Sequence, residues 1–223
     1  HKHARAIAKR LVLVRGSSVL PLNTHSTTDY TSAGLVVDAE QGVVVTDRWA
    51  VGSQTSVVTI EVGDSGRIPA RIVYLDPLRN IAVLQYDPTL VALDGLKPVV
   101  WSTEPPEAGD RYWTAQINRD GELFSEERTF SRFDEVSLSA HRYPKYRADN
   151  LTALRFGKSE RPSEGGVFVD KKGRVVALFM NFRDEDKRGE ARSSMLAVPT
   201  WPAQDALEGR VPLYAGLDLH RVS

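Results

Sequence analysis

The sequence predicts an all-β protein: two packed β-barrels with a short helix near each end of the chain. Three observations predict it. Short β-rich runs recur along the chain, each bounded by turn residues. Several of them alternate apolar with polar residues, the period of a strand buried on one face. Helical patterning is confined to a few turns at the start and to one stretch near the end. The chain has 223 residues, which suits one large all-β domain or two small lobes.

Taken in order, Ala4 to Arg10 reads as one or two helical turns before the strand Leu11-Val12-Leu13-Val14. Leu35-Val36-Val37 and Val43-Val44-Val45-Thr46 flank Asp38 to Gly42 and form a hairpin, with Gly42 supplying a positive φ. Val58, Ile60 and Val62 mark a half-buried strand, as do Ile68, Ala70, Ile72 and Tyr74. Pro69 cannot donate to a ladder, so its strand is expected to sit at an edge or to carry a bulge. Ile81 to Tyr86 is a nearly continuous apolar strand. The proline-rich stretch from Asp87 to Pro106 reads as the boundary between lobes, giving a first lobe over 1–100 and a second over 101–211. Strands resume at Arg111 to Asn118 and Leu123 to Phe133, and Asp170-Lys171-Lys172-Gly173 turns a second hairpin. The mixed charges of Asp184 to Arg192 read as a solvated loop. Thr200 suits the N-cap of a helix over Trp201 to Leu207, Pro202 is tolerated in its first turn, and Gly209 stops it. Residues 212–223 read as a linker toward a further domain.

Composition narrows the function. Lys+Arg and Asp+Glu both number 29, so the excess positive charge that nucleic acid and anionic membranes attract is absent. The chain has no cysteine, which excludes disulfides, thiolate metal sites and a cysteine nucleophile. The longest apolar runs, such as Ile81-Ala82-Val83-Leu84, are far too short to span a bilayer. His1-Lys2-His3-Ala4-Arg5 lacks the apolar stretch of a signal peptide.

Four segments then carry a resemblance. Ser32 to Ala39 with Gly42 to Thr46 is similar to the opening of the protease domain in the HtrA/Deg family of trypsin-like serine proteases. Asp76-Pro77-Leu78-Arg79-Asn80-Ile81-Ala82-Val83-Leu84 resembles that family's segment around its catalytic aspartate. Pro162-Ser163-Glu164-Gly165-Gly166-Val167-Phe168-Val169 resembles the segment around its nucleophilic serine, and Leu196-Ala197-Val198-Pro199 the end of the domain. The segments fall in the right order over nearly the whole chain. Tyr74 to Asn80, Tyr86-Asp87-Pro88 and Tyr143 to Leu151 resemble, more narrowly, the second, degenerate repeat of the tandem-repeat branch. That branch holds the fungal nuclear pro-apoptotic type and plant plastid relatives, long proteins with two protease-like repeats and PDZ domains. The resemblance implies a chymotrypsin-like double β-barrel with its site at the seam.

Departures from the family pattern bear on activity. In this fold a serine needs a histidine as base, an aspartate to orient it, and an oxyanion hole of backbone N–H groups. On the segment Thr46-Asp47-Arg48-Trp49-Ala50-Val51 the histidine position holds Trp49, whose indole only donates. The aspartate position holds Asn80 and the nucleophile position Glu164. Two residues earlier Pro162 replaces a glycine and has no N–H for the oxyanion hole. Losing triad function costs about 10⁶ in turnover, and a lost oxyanion donor about 10²–10³. No catalytic residue, cofactor or metal is therefore expected.

Other readings stand beside this one. The five histidines, His1, His3, His25, His141 and His220, show no metal-ligand spacing, and His1 and His3 are expected on a flexible end. A relocated dyad of His25 or His141 with a nearby serine stays open. Asp184-Glu185-Asp186 can bind a cation, but Lys187 and Arg188 favour a solvated loop. Gly165-Gly166 is read as a tight turn before a strand rather than a phosphate loop. Glu164 either pairs with Asn80 or faces water. Trp49 either plugs the relict cleft or stacks on a peptide. The expectation is a catalytically inactive domain with a scaffold, assembly or regulatory role in a larger protease of protein quality control. Its partners are then the active repeat and PDZ domains of the same polypeptide, in a homo-oligomer, located in the nucleus for the fungal type or the plastid for the plant type. The alternatives are a chaperone-like module that binds unfolded or peptide clients, and an unorthodox hydrolase.

Overall fold

The computed structural model describes residues 2–18, 29–51, 56–63, 66–76, 79–91, 93, 96–136, 151–157, 161–185 and 191–210. His1, His25, His141, His220, the segment 143–150 and the linker 212–223 lie outside the described residues.

The chain opens with helix α1 (Lys2–Ala8), which buries Ala4, Ile7 and Ala8. His3 belongs to this helix and packs against the Gly173 turn, so it is not on a free end. Six antiparallel strands follow: β1 (Leu11–Ser18), β2 (Asp29–Asp38), β3 (Val43–Thr46), β4 (Ser56–Glu61), β5 (Arg67–Leu75) and β6 (Ala82–Tyr86). They close into a barrel in the order β1-β2-β3-β6-β5-β4. The β2–β3 hairpin needs Gly42 on two counts: its φ is +67°, and a Cβ there would lie 2.2 Å from the Tyr86 carbonyl oxygen. Pro69 is on no sheet edge, because the barrel has none. It is tolerated because β5 there runs past the end of β6 and pairs with β4 alone, Thr59 opposite Pro69. β5 does carry a bulge, between Ile72 and Tyr74, which leaves Val73 exposed.

The second lobe holds β7 (Arg111–Ile117), β8 (Leu123–Phe124), β9 (Glu127–Val136), β10 (Leu151–Phe156), β11 (Gly165–Val169), β12 (Val175–Glu185) and β13 (Ala191–Pro199), then helix α2 (Trp201–Leu207). Their order is β11-β12-β13-β10-β9-β7-β8, and a further β11–β7 pairing closes the sheet into the second barrel. The fold is thus all-β and double-barrelled, with a short helix near each end. Between the lobes the connecting chain lies on both of them: Val99 N donates to Val37 O, and Val175 N to Val100 O.

Three local expectations change. The Asp184 to Arg192 run is not all loop: Asp184 pairs with Arg192 and Glu185 with Ala191, so the β12–β13 hairpin carries both ends of it. Backbone pairing prevails there over the polar composition. Gly165 and Gly166 are not a turn but the first two residues of β11. Thr200 stands at the N-cap of α2 as expected but makes no side-chain capping bond; its hydroxyl instead accepts from Gln204 Nε2 at 2.8 Å.

Three apolar clusters hold the molecule. Val12, Val14, Val36, Val44, Val58, Ile60 and Leu84 belong to a cluster of the first barrel. Tyr112, Phe130, Leu154, Phe168 and Ala177 belong to one of the second. The third lies between the barrels: Leu11, Leu13 and Leu35 from the first meet Ala115, Val167 and Val169 from the second, with Ala4, Ile7 and Ala8 of α1 joining both. The alternation of β1, with Val12 and Val14 on one face and Leu11 and Leu13 on the other, creates this division.

Candidate functional site

The seam gathers the positions singled out in the sequence. β3 ends at Thr46 and the chain enters a 3-10 turn, Arg48–Ala50, with Asp47 at its N-cap. Asp47 is 1% exposed. Its Oδ1 accepts from Ala50 N at 2.9 Å, and its Oδ2 accepts from Asn181 N at 3.3 Å. Ser32 Oγ also donates to Asp47 Oδ2. Trp49 sits in the middle of this turn and is half-buried.

Asn80 precedes β6 and is 2% exposed. Its Oδ1 accepts from Arg48 N at 3.0 Å and its Nδ2 donates to Asn181 O at 2.8 Å. With its amide so used, Asn80 makes no side-chain bond to Glu164. The loop that carries Asn80 is itself braced. Asp76 is fully buried and accepts from Arg79 N at 2.7 Å and Arg79 Nε at 2.8 Å. The Arg48 guanidinium donates to Asp76 O.

Glu164 immediately precedes β11. Its carbonyl oxygen accepts from Ala33 N at 3.0 Å and from Ser32 Oγ at 3.3 Å. Its N–H donates to Ile117 O at 2.9 Å. The half-buried Glu164 lines a cavity of about 610 Å³ with Arg15, Tyr30, Arg67, Arg119 and Asn181. Pro162 lies on a separate cavity of about 500 Å³, which opens where β10 and β13 splay after one paired position, Leu154 with Ala197. Phe156, Phe168 and Phe179 line that cavity, and Phe156 stacks on Phe168 at 3.8 Å between centroids.

The three positions are therefore tied at one place. Glu164 reaches the Trp49 turn through Ser32 and Asp47, and Asn80 reaches the same turn directly through Arg48. Two residues of this network carried no flag in the sequence reading, Ser32 and Asn181. Asn181 takes part through its backbone, which leaves no trace in residue identity. Asp47 had a usable signal: an aspartate just after a strand and three residues before Ala50 is an N-cap pattern.

Trp49 donates only, and Asn80 carries no charge. Pro162 offers no N–H, and the N–H of Glu164 is bonded to Ile117 O within the β7–β11 contact.

Two antiparallel barrels meeting at such a seam make the trypsin-like fold, and a solved relative agrees. The active form of the Rv3671c protease from M. tuberculosis superposes with a TM-score of 0.65 at 16% identity, covering 95% of this chain and 85% of that one. The chain belongs to the HtrA family of trypsin-like serine protease homologues. It is similar to the pro-apoptotic serine protease NMA111 of Eremothecium gossypii, 31% identical over 211 residues that cover 92% of this chain and 22% of that protein. The NMA111 of Vanderwaltozyma polyspora is 28% identical over 203 residues, 91% of this chain and 20% of its own length. This chain thus spans about a fifth of the length of the curated relatives it matches. No family model matches it.

Proposed function

We propose that this domain is a catalytically inactive, trypsin-like domain that serves as a scaffold, assembly or regulatory element of a longer HtrA-like serine protease. The observation that carries the reading is the fate of the oxyanion donors. One position is a proline, and the other N–H, that of Glu164, is turned to Ile117 O at 2.9 Å. A tetrahedral oxyanion finds neither donor, and no imidazole stands at Trp49 to take a proton. The parent protein carries its peptidase in another repeat and works in protein quality control. Its PDZ domains and further copies of the chain are the partners, and its compartment follows the parent, nuclear for a fungal protein.

The test is direct. The domain is expected to leave casein uncleaved and to take no label from a fluorophosphonate probe. Glu164→Ser is expected to stay inactive, because its hydroxyl has no base and Pro162 still withholds an N–H. Turnover by either protein overturns the proposal.

A second reading has one observation in its favour. The cavity of about 500 Å³ beside Pro162 and Ser163 is open to solvent and combines aromatic and aliphatic side chains with Arg128, Arg155 and Arg161, the character of a pocket that receives an apolar group flanked by polar ones. On this reading the domain holds unfolded clients. Fluorescently labelled, denatured casein is then expected to bind the wild-type domain, and binding is expected to fall when Ala153→Trp fills the cavity.

A further inference from the structure

β11 pairs with β12 no further than Gly166 opposite Phe179. Asn181, two residues on, has β13 on one side, where it stands opposite Met195. The N–H and C=O of one strand residue point to the same side, and at Asn181 both are taken by side chains of the other barrel. Asp47 Oδ2 accepts from Asn181 N at 3.3 Å, and Asn80 Nδ2 donates to Asn181 O at 2.8 Å. Two side chains of the first lobe thus take the place of a strand neighbour on the second. Both side chains are nearly fully buried, at 1% and 2% exposure, and they meet a half-buried Asn181.

We propose that Asp47 and Asn80 form a latch that holds the two barrels in register, and that asparagine rather than aspartate is required at position 80 for this purpose. Asn80 is used as a two-sided group: Oδ1 accepts from Arg48 N and Nδ2 donates across the seam. An aspartate of the same shape keeps the first bond and loses the second. Its second carboxylate oxygen then meets the Asn181 carbonyl oxygen, acceptor against acceptor, and the two must part. The substitution that restores the family's charged residue therefore opens the seam. Catalytic loss and lobe locking are linked at one atom, Nδ2 of Asn80.

Three variants test this. The chain has no cysteine, so Val73→Cys on the first barrel and Leu123→Cys on the second, both at exposed residues, accept spin labels cleanly. The expected result is a narrow inter-label distance distribution in this background and a broadened or longer one after Asn80→Asp. Hydrogen exchange at the Asn181 amide is expected to quicken by roughly ten- to hundredfold, the range that an unsatisfied buried acceptor implies. Asp47→Asn, which keeps only one carbonyl-type oxygen for three donors, is expected to act in the same direction and serves if Asn80→Asp does not fold. Asn181→Ala leaves the backbone groups in place and is expected to change neither readout. A merely structural role for Asn80 predicts lower thermal stability with an unchanged distance in the folded protein. That result overturns the latch, as does an Asn181→Ala effect equal to that of Asn80→Asp.

Discussion

Trp49 sits in the middle of the 3-10 turn Arg48–Ala50. The 3-10 turn fixes its backbone through Asp47, yet the indole itself is only half-buried. A fully buried tryptophan costs about 3–5 kcal/mol when cut to alanine. Trp49→Ala is therefore expected to cost less, about 1–2 kcal/mol, or a fall of a few degrees in the calorimetric midpoint for a chain of this size. The same mutant separates the two functional readings. The scaffold reading expects this modest loss of stability. An unchanged midpoint with client binding abolished would promote the reading in which Trp49 stacks on a peptide, at a place apart from the cavity beside Pro162.

Strand β11 is the element under most constraint. It is squeezed between β7 and β12, and its first two residues have φ of +131° and +154°. A Cβ at Gly166 would lie 2.0 Å from Ala115 O, and one at Gly165 would lie 2.6 Å from Phe179 O. Both obstacles are backbone, which cannot rotate away. Gly166→Ala is expected to destabilise by more than about 3 kcal/mol or to prevent folding, measured by urea unfolding beside a soluble-yield assay. The turn that follows is expected to lose stability in acid. Burial pushes the Asp170 carboxyl up, but hydrogen bonds from the Arg174 and Lys172 backbone and from the Arg174 guanidinium outweigh it, and the group ends below its ordinary value. A carboxyl lowered by folding adds stability above its unfolded value of about 3.9 and loses it as pH falls through the lower folded value. Asp170→Asn is expected to be less stable than wild type at pH 6. It is also expected to lose less stability than wild type between about pH 6 and pH 2. Urea midpoints at the two pH values check the sign.

At the scale of the whole molecule the two barrels share one apolar cluster. It is the largest, it takes residues from both, and Ala4, Ile7 and Ala8 of α1 belong to it. The domain is therefore expected to melt in a single calorimetric transition, with calorimetric and van't Hoff enthalpies equal. Ile7→Ala, at 9% exposure, is expected to cost about 2–4 kcal/mol and to lower the one transition rather than split it. Two resolved transitions in the wild type would mean that the lobes fold separately and that the seam adds little.

Most of the architecture follows from local chemistry. Alternating valines and isoleucines, Gly42 and Gly173 at hairpin turns, and the short ends of helical pattern all state their own structure, because period and turn geometry are properties of a few adjacent residues. The absence of a base at Trp49 and of a donor at Pro162 is equally plain, since an indole and a proline ring cannot do otherwise. The Asp184 to Arg192 run was misleading because a strand's tolerance for charge depends on what lies beside it. Gly165 and Gly166 needed the positions of Ala115 O and Phe179 O to be understood as strand. The tasks of Asp47, Ser32 and Asn181 were decided only in three dimensions. Their hydrogen bonds join segments as far apart as the two lobes, and in part they use backbone atoms that every residue shares, so only packing of one barrel against the other selects them.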